Sequence, residues 1–225
     1  MNTSLNRKLI LLLCVLVLMA GMSVPHAQAE NYSSAAITGK VVDAESGEPL
    51  TGVNIVAQWK IDRKWVGDDK ALLKVLETVS DAQGNYGFPA WGPIVLPGMA
   101  DFSSGEDPSI SFFKSGYWPE NARNDIAMHI EYRTPHLGEF KWNGKTIKLR
   151  KWDGKDVQKY SFRVSTMSGN FAHESGVWRN YPRMVLTLIR EQDKLKNLGY
   201  QFGLSGVYPE YLEPENLEFL RKVEQ

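Results

Sequence analysis

Three histidines and their neighbouring carboxylates are the residues of this chain with the clearest potential for chemistry. His129, Glu131, His136 and Glu139 fall in one short stretch, and His173 follows later. Imidazole nitrogens and carboxylate oxygens are usual zinc ligands. On a strand, His129 and Glu131 would lie on the same face. These residues are candidate metal ligands, but histidines near loops are commonplace, and the sequence alone specifies no catalytic residue and no cofactor.

Three aromatic residues are candidates for binding a ligand. Trp91, Tyr117 and Trp118 lie in or beside predicted long loops, which could together form one rim of a folded domain. Aromatic rings on loops stack on sugars or clamp extended peptides. Trp and Tyr also close the ends of β-sandwich cores, so a purely structural role is the competing interpretation.

The elements that must position these residues are predicted to be mainly strands. Residues 37–59 alternate between apolar and polar types around a turn at 46–49, which predicts a β-hairpin or meander. Residues 72–79 and 110–113 predict further strands, and the polar stretch 62–70 is expected to be an excursion between strands.

A turn and a long loop follow the second of these strands. In residues 80–88, Asp81 and Gly84 predict a turn. The side chains of Tyr86 and Phe88, two residues apart on the strand that follows, are expected to point into the core. Residues 90–107 are rich in Gly and Pro and predict a long loop, which in a compact domain is usually functional or disordered.

Residues 141–156 contain the phrases KWNGK and KWDGK. Asn143-Gly144 predicts a two-residue hairpin in which Phe140 faces Ile147 and Glu139 faces Lys148. After Asp153-Gly154, apolar residues recur at helical spacing, with Asp153 expected as the N-cap. The phrases therefore predict two unlike features, and their lysines are expected to be solvated rather than to bind nucleic acid.

Two further helices are predicted near the end of the chain. Pro182 suits a first helical turn, an apolar stripe follows, and Gly199 ends the segment. Residues 213–216 begin a short terminal helix that carries Leu217 and Leu220. Both stripes are expected to pack against the sheet.

The beginning of the chain predicts export. Residues 1–29 comprise a charged start with Arg7 and Lys8, a short apolar run and Ala27-Gln28-Ala29, which is typical of a secretory signal peptide. After its removal 24 basic residues remain against 26 acidic ones, a net charge of −2 that does not favour a polyanionic partner. The remaining chain has no cysteine and no membrane span, so it is predicted to be exported without disulfides to the periplasm, with secretion or the cell surface as the alternatives.

Three motifs together resemble the carboxypeptidase regulatory-like domain family. The matching residues are Gly39, Val41, Asp43, Gly47, Pro49, Leu50, Gly52 and Val53, then Ser80, Asp81, Gly84, Tyr86 and Phe88, then Lys114, Gly116 and Tyr117. The resemblance implies a transthyretin-like β-sandwich of about seven strands, in a domain that is usually an accessory. Turn glycines and inward aromatics specify a fold and no reaction.

The sequence does not support the activity of any of three kinds of enzyme that contain a similar domain. His136-Leu137-Gly138-Glu139 matches the H-x-x-E of zinc carboxypeptidases, but such a catalytic domain is far larger than the tail that follows the predicted sandwich, and the motif lies at the predicted hairpin. The H-x-H of intradiol dioxygenases does not occur. Residues 132–135, Tyr-Arg-Thr-Pro, differ from the Tyr-Arg-Gly-Ser signature of hydroxyisourate hydrolases.

The sequence therefore predicts a mainly β protein with an α-helical C-terminal tail: an antiparallel transthyretin-like sandwich at 33–152, and two or three helices at 153–225 packed on it. The predicted function is that of an exported, non-enzymatic binding or accessory protein for a glycan, peptide or protein partner. Two alternatives remain. One is a small metal-dependent enzyme that uses His129 and His136; the other is a structural subunit that assembles through a sheet edge.

Overall fold

The computed structural model describes residues 30–63, 70–96, 100–102, 108–123, 140–171, 176–200 and 202–223. The predicted signal peptide lies outside the described residues, as does most of the predicted excursion at 62–70. The described strands are β1 (Glu30–Ser34), β2 (Ile37–Asp43), β3 (Asn54–Arg63), β4 (Lys70–Val79), β5 (Asn85–Phe88), β6 (Trp91–Leu96), β7 (Ala100–Phe102), β8 (Ser109–Phe113), β9 (Glu120–Ala122) and β10 (Thr146–Leu149). The helices are α1 (Val157–Ser168), α2 (Pro182–Asn197) and α3 (Pro214–Lys222), with 3-10 turns at Val177–Asn180 and Pro209–Leu212.

The strands form three sheets. The large sheet has the order β4-β3-β8-β9, with β7 also paired to β3; the small sheet has the order β10-β2-β5; and β1 pairs with β6 in a two-stranded ribbon. All pairs are antiparallel except β10 with β2. No helix in the described ranges is long and apolar enough to cross a membrane.

The first core lies between the large and small sheets. It contains Ile55, Ala57, Trp59, Ile110 and Phe112 from the large sheet, and Ile37, Val41, Tyr86, Phe88, Ile147 and Leu149 from the small one. The predicted inward alternation of Tyr86 and Phe88 is confirmed, since both rings are buried.

The second core lies on the opposite face of the large sheet, against the helices. It contains Val56, Val75 and Phe113 from the strands, with Tyr160, Val164, Met167, Val185, Leu188, Leu195 and Leu220 from the helices. Successive residues of a strand point to opposite faces. Phe112 and Phe113 therefore enter different cores, and burying each contributes about 2 kcal/mol. The large sheet is thus the middle of three layers, and the predicted fold class, a β-sandwich with a helical tail, is confirmed.

The predicted hairpin or meander at 37–59 is wrong in its pairing. A turn does follow β2, where the Asp43 carboxylate accepts hydrogen bonds from the N–H groups of Glu45 and Ser46, at 2.9 and 3.0 Å. However, the chain then crosses between layers, so that β3 pairs with β4 and β8 rather than with β2.

The predicted hairpin at Asn143-Gly144 is also wrong. The turn forms, but the following strand β10 pairs in parallel with β2, with Ile147 opposite Val41. The Asn143 side chain accepts the N–H of Thr38 at 2.9 Å, which fixes the turn to the start of β2. Phe140 and Ile147 do enter the same core, while Glu139 lies outside the described residues.

Two local predictions at 90–107 and at α1 need correction. The predicted loop contains strands β6 and β7. The predicted helix after Asp153 forms as α1, but its N-cap is Asp156, whose carboxylate accepts the N–H of Lys159 at 3.0 Å. Asp153 instead accepts the N–H of Lys155 in the preceding turn. The predictions of α2 and α3 are confirmed.

Candidate functional site

The predicted metal candidates cannot be placed in the fold. His129, Glu131, His136, Glu139 and His173 all lie outside the described residues. Among the residues that the structure does describe, no group of three or more His, Cys, Asp or Glu side chains could hold a metal ion. The metal site therefore stays a prediction.

The three candidate aromatics lie at two distant places. The Trp91 ring, at the start of β6, meets the Trp59 ring edge-on at a centroid distance of 5.2 Å. Tyr117 and Trp118 follow β8, near the start of β3, where Asn54 pairs with Phe113. Because Asn54 and Trp59 are five residues apart on one strand, these places are separated by roughly 16 Å.

Each of these aromatics has internal contacts. Tyr117 packs on the sandwich core, and burial together with a hydrogen bond to Asp43 raises its pKa. Trp118 packs edge-on against Tyr160 at 5.6 Å, with the Arg150 guanidinium 5.2 Å from its ring centroid. These contacts favour structural roles for Tyr117 and Trp118, while ligand binding by the three rings stays a prediction.

A buried carboxylate joins the large sheet to the helices, and the sequence analysis did not identify it. Glu191 of α2 is 1% exposed. Its Oε1 accepts a hydrogen bond from the Tyr160 hydroxyl at 2.9 Å, and its Oε2 accepts one from the Ser115 hydroxyl. The Lys194 ammonium lies 3.6 Å from Oε1, and the Gly116 N–H donates to the Tyr160 oxygen at 3.3 Å.

This cluster links three elements of the structure through buried contacts. Burial, followed by the charge of Glu191 and the hydrogen bond to it, raises the pKa of Tyr160 far above its usual range, so the phenol stays protonated. The Tyr160 ring is stacked on Trp152 at 4.1 Å with an interplanar angle of 5°. A buried charge is tolerated only when donors surround it. The cluster therefore fixes the turn after β8, α1 and α2 to one another.

A sequence signal for this cluster does exist. Glu191 stands three residues after Leu188 and four before Leu195, on the apolar stripe of α2. A carboxylate at such a position must find buried donors, but the stripe does not show that Ser115 and Tyr160 supply them.

Strand β4 holds the start of α2 through a second carboxylate. Glu77 accepts the backbone N–H of Met184 at 2.7 Å and that of Arg183 at 3.1 Å. These are donors of the first helical turn, which otherwise lack partners. Burial raises the pKa of Glu77 to about 7, and the two hydrogen bonds only partly oppose this effect.

The other side of β4 is an edge to which no other described strand is paired. Of the described strands only β3 pairs with β4. A bulge at Leu73 interrupts the register, so the regular part of the edge runs from Lys74 to Val79, roughly 20 Å. Val75 faces the helical core and Leu76 the sandwich core, so both faces of the strand are packed. We call residues 74–79 the β4 edge.

Comparisons with known proteins identify no family. No family model and no curated protein matches the chain. A group B streptococcus pilus 2b backbone protein is similar in structure over 53% of this chain and 42% of its own, with 12% identity and a TM-score of 0.28. The shaft pilin spaA from Lactobacillus rhamnosus GG matches over 55% of this chain and 46% of its own, with 13% identity and a TM-score of 0.23. The chain spans less than half of either pilin, and similarity at this level says nothing about function.

Proposed function

We propose that the protein is an exported, non-enzymatic binding protein that accepts an extended segment of a protein partner as an additional strand on the β4 edge. The observation that carries this proposal is the outer side of β4, which pairs with no strand in the part of the chain that the structure describes. An edge strand directs the N–H and C=O groups of alternate residues away from its sheet. A partner segment that pairs with them gains main-chain hydrogen bonds, which is a common mode of peptide recognition.

The β4 edge suits this role better than the edges that β5, β9 and β10 form. Strands β5 and β10 have four residues each and β9 has three. The chain after β10 is already bonded to the turn after β8, through Trp118 N–H to Arg150 O at 2.9 Å and Trp152 N–H to Gly116 O at 2.8 Å. The β4 edge is longer, and packing on both faces holds it extended. A preformed edge lowers the entropy cost of binding.

The proposal keeps the predicted export through the signal peptide at 1–29, with the periplasm or the cell surface as destination. It also keeps the predicted division into a sandwich at 33–152 and a helical region at 153–225. The support for the helical region as a stabilising layer is that it covers the face of the large sheet opposite to the small sheet. In this arrangement the helices pack on the sheet that contains the strand to which the partner binds.

Amide hydrogen exchange on the mature protein tests the open edge directly. Alternate amides between Lys74 and Val79 should exchange fast, while the amides of the internal strand β8 should all be slow. Slow exchange at every amide of the β4 edge would show that it is covered, and the proposal would fail.

Crosslinking tests the mode of binding. Residues 30–225 contain no cysteine, so a photocrosslinker can be attached through Lys74→Cys on β4 or, as a matched control, through Lys148→Cys on β10. Peptides selected from a displayed library of short random sequences should crosslink from position 74 and not from 148. N-methylation of a selected peptide should abolish binding when the methyl group is at every second residue, whose amide faces β4, and should have no effect at the residues between them. Strand addition would be refuted if the peptides crosslink from position 148, or if N-methylation leaves peptide binding unchanged at every position.

A further inference from the structure

The β4 edge presents a defined set of backbone groups to a partner strand. The Ser80 N–H donates to Val53 O, at the start of the pairing with β3, at 3.1 Å. Because backbone direction alternates along a strand, the even-numbered residues of the β4 edge direct their N–H and C=O groups toward β3. The odd-numbered residues direct these groups outward: Val75, Glu77 and Val79.

The two faces of the β4 edge carry opposite charges. Glu77 points to the face that meets the helices, as its hydrogen bonds to the start of α2 show. Lys74 points to the other face, since its cross-strand neighbour Trp59 belongs to the sandwich core. Between them, Val75 packs on the helical core and Leu76 on the sandwich core. From Lys74 to Glu77 the edge therefore reads basic, apolar, apolar, acidic.

The Glu77 carboxylate has room for a further donor. It accepts two N–H groups, and an ionised carboxylate can accept about four hydrogen bonds. The Arg183 guanidinium favours the charge of Glu77, yet burial still raises its pKa to about 7. The surrounding groups thus offset the burial of this charge only in part. A partner strand would cover the carboxylate further, so a basic residue opposite Glu77 is favoured over an apolar one.

The charge of Lys74 is available to a partner as well. The side chain is half-buried, and none of the ion pairs within the described ranges involves it. An acidic residue opposite Lys74 would form a cross-strand charge pair. The two charges of the edge therefore select opposite charges on the partner.

A second copy of this chain does not supply this arrangement. When two β4 edges pair antiparallel about a two-fold axis in one continuous sheet, residues opposite each other share a face. On the β4 edge, the residues that share the face of Glu77 are Val75 and Val79. No basic residue of a second β4 edge would lie opposite Glu77, so the partner is a different segment.

We infer that the β4 edge recognises an extended segment in which a basic residue is followed by two apolar residues and then an acidic residue. This inference rests on the proposed strand addition and gives it a sequence specificity. The segment pairs antiparallel with β4, the more stable arrangement and the one that β3 already adopts. Its basic residue lies opposite Glu77, its apolar residues lie opposite Leu76 and Val75, and its acidic residue lies opposite Lys74.

Selection from a displayed library of random six-residue sequences tests this inference on the mature wild-type protein. The selected peptides should contain Lys or Arg, two apolar residues, and Asp or Glu, in that order. Replacing the basic residue of a selected peptide with Gln should weaken binding about tenfold, because it lies opposite a buried carboxylate. Replacing the acidic residue with Gln should weaken binding about threefold, because Lys74 is more accessible.

Charge reversal on the protein tests the same pairing from the other side. Selection on Lys74→Glu should yield peptides with a basic residue in place of the acidic one. Lys148→Glu on β10 is the matched control and should leave the selected pattern unchanged. Circular dichroism should show that both variants are folded.

A photocrosslinker on Thr78→Cys leaves both charges in place and reports strand pairing separately. The inference is overturned if peptides crosslink from position 78 without the charge pattern, with the acidic residue first, or with the same pattern on Lys74→Glu. Strand addition would still stand after any of these results. If no selected peptide crosslinks from position 78, strand addition fails, and this inference fails with it.

Discussion

Replacing Tyr160 with Phe removes a single hydroxyl from the Glu191 cluster and leaves the rest of the ring in place. That hydroxyl donates to Glu191 at 2.9 Å and accepts from Gly116 at 3.3 Å. Stacking on Trp152 survives the change, because it involves the ring alone. A buried carboxylate that loses a donor costs about 1.5–3 kcal/mol. The Lys194 ammonium compensates in part, so we expect a loss of about 2 kcal/mol in the free energy of unfolding.

Tyr86→Phe is the matched control. Tyr86 is also buried, but its hydroxyl has no hydrogen-bond partner within the described part of the chain. Removing an unpaired buried hydroxyl should be neutral or slightly stabilising.

Urea unfolding followed by tryptophan fluorescence measures both variants on the same scale. In thermal unfolding, the same loss of free energy in the Tyr160 variant corresponds to a fall in Tm of about 4–8 °C for a chain of this size. Equal stability of the two variants would refute the reasoning, since it would mean that the Tyr160 hydroxyl does not stabilise the Glu191 charge.

Three further predictions concern local features. Because burial gives Glu77 a folded pKa of about 7 against 4.5 for the unfolded chain, the folded state binds this proton more tightly. The stabilisation that comes from protonated Glu77 should be fully present below about pH 4.5 and be lost as the pH rises through about 7. Glu77→Gln should remove this pH dependence of the free energy of unfolding in urea titrations across that range. Gly84→Ala should destabilise by at least about 2 kcal/mol, because φ is +77° and the added Cβ would collide with the Val41 carbonyl; Gly47→Ala, with φ of +74° and open space, should cost only about 1 kcal/mol by the same assay. Asp156→Ala should cost about 1 kcal/mol by removing the α1 cap, seen as a lower thermal midpoint in circular dichroism.

Features fixed by neighbouring residues could be predicted from the sequence. The apolar stripe of α2, Pro182 at its start and the turn before Tyr86 are all local signals, and each forms as expected. The pairing of strands was harder, because adjacent strands in the chain need not be adjacent in a sheet. Asn143-Gly144 predicts a turn correctly, yet the strand after it pairs with β2.

The site was less predictable than the fold. Ser115, Tyr160 and Glu191 are distant in sequence, and only the packing of the helices on the large sheet brings their side chains together. The β4 edge is likewise a property of strand order, which periodicity does not encode. Trp91, Tyr117 and Trp118 are candidates because of their position in predicted loops, but Trp91 contacts Trp59 in the middle of β3, whereas Tyr117 and Trp118 lie near the start of that strand.

The parallel pairing of β2 with β10 has a consequence for how the chain folds. The hydrogen bond from Thr38 to Asn143 joins residues 105 apart in sequence. Contacts of such long range form slowly, because a large loop must close before they are gained. The small sheet cannot be completed until Leu149 is present, when about two thirds of the 225 residues have been synthesised. The small sheet of a nascent chain therefore stays incomplete for about two thirds of its synthesis, although every strand of the large sheet is present by Ala122.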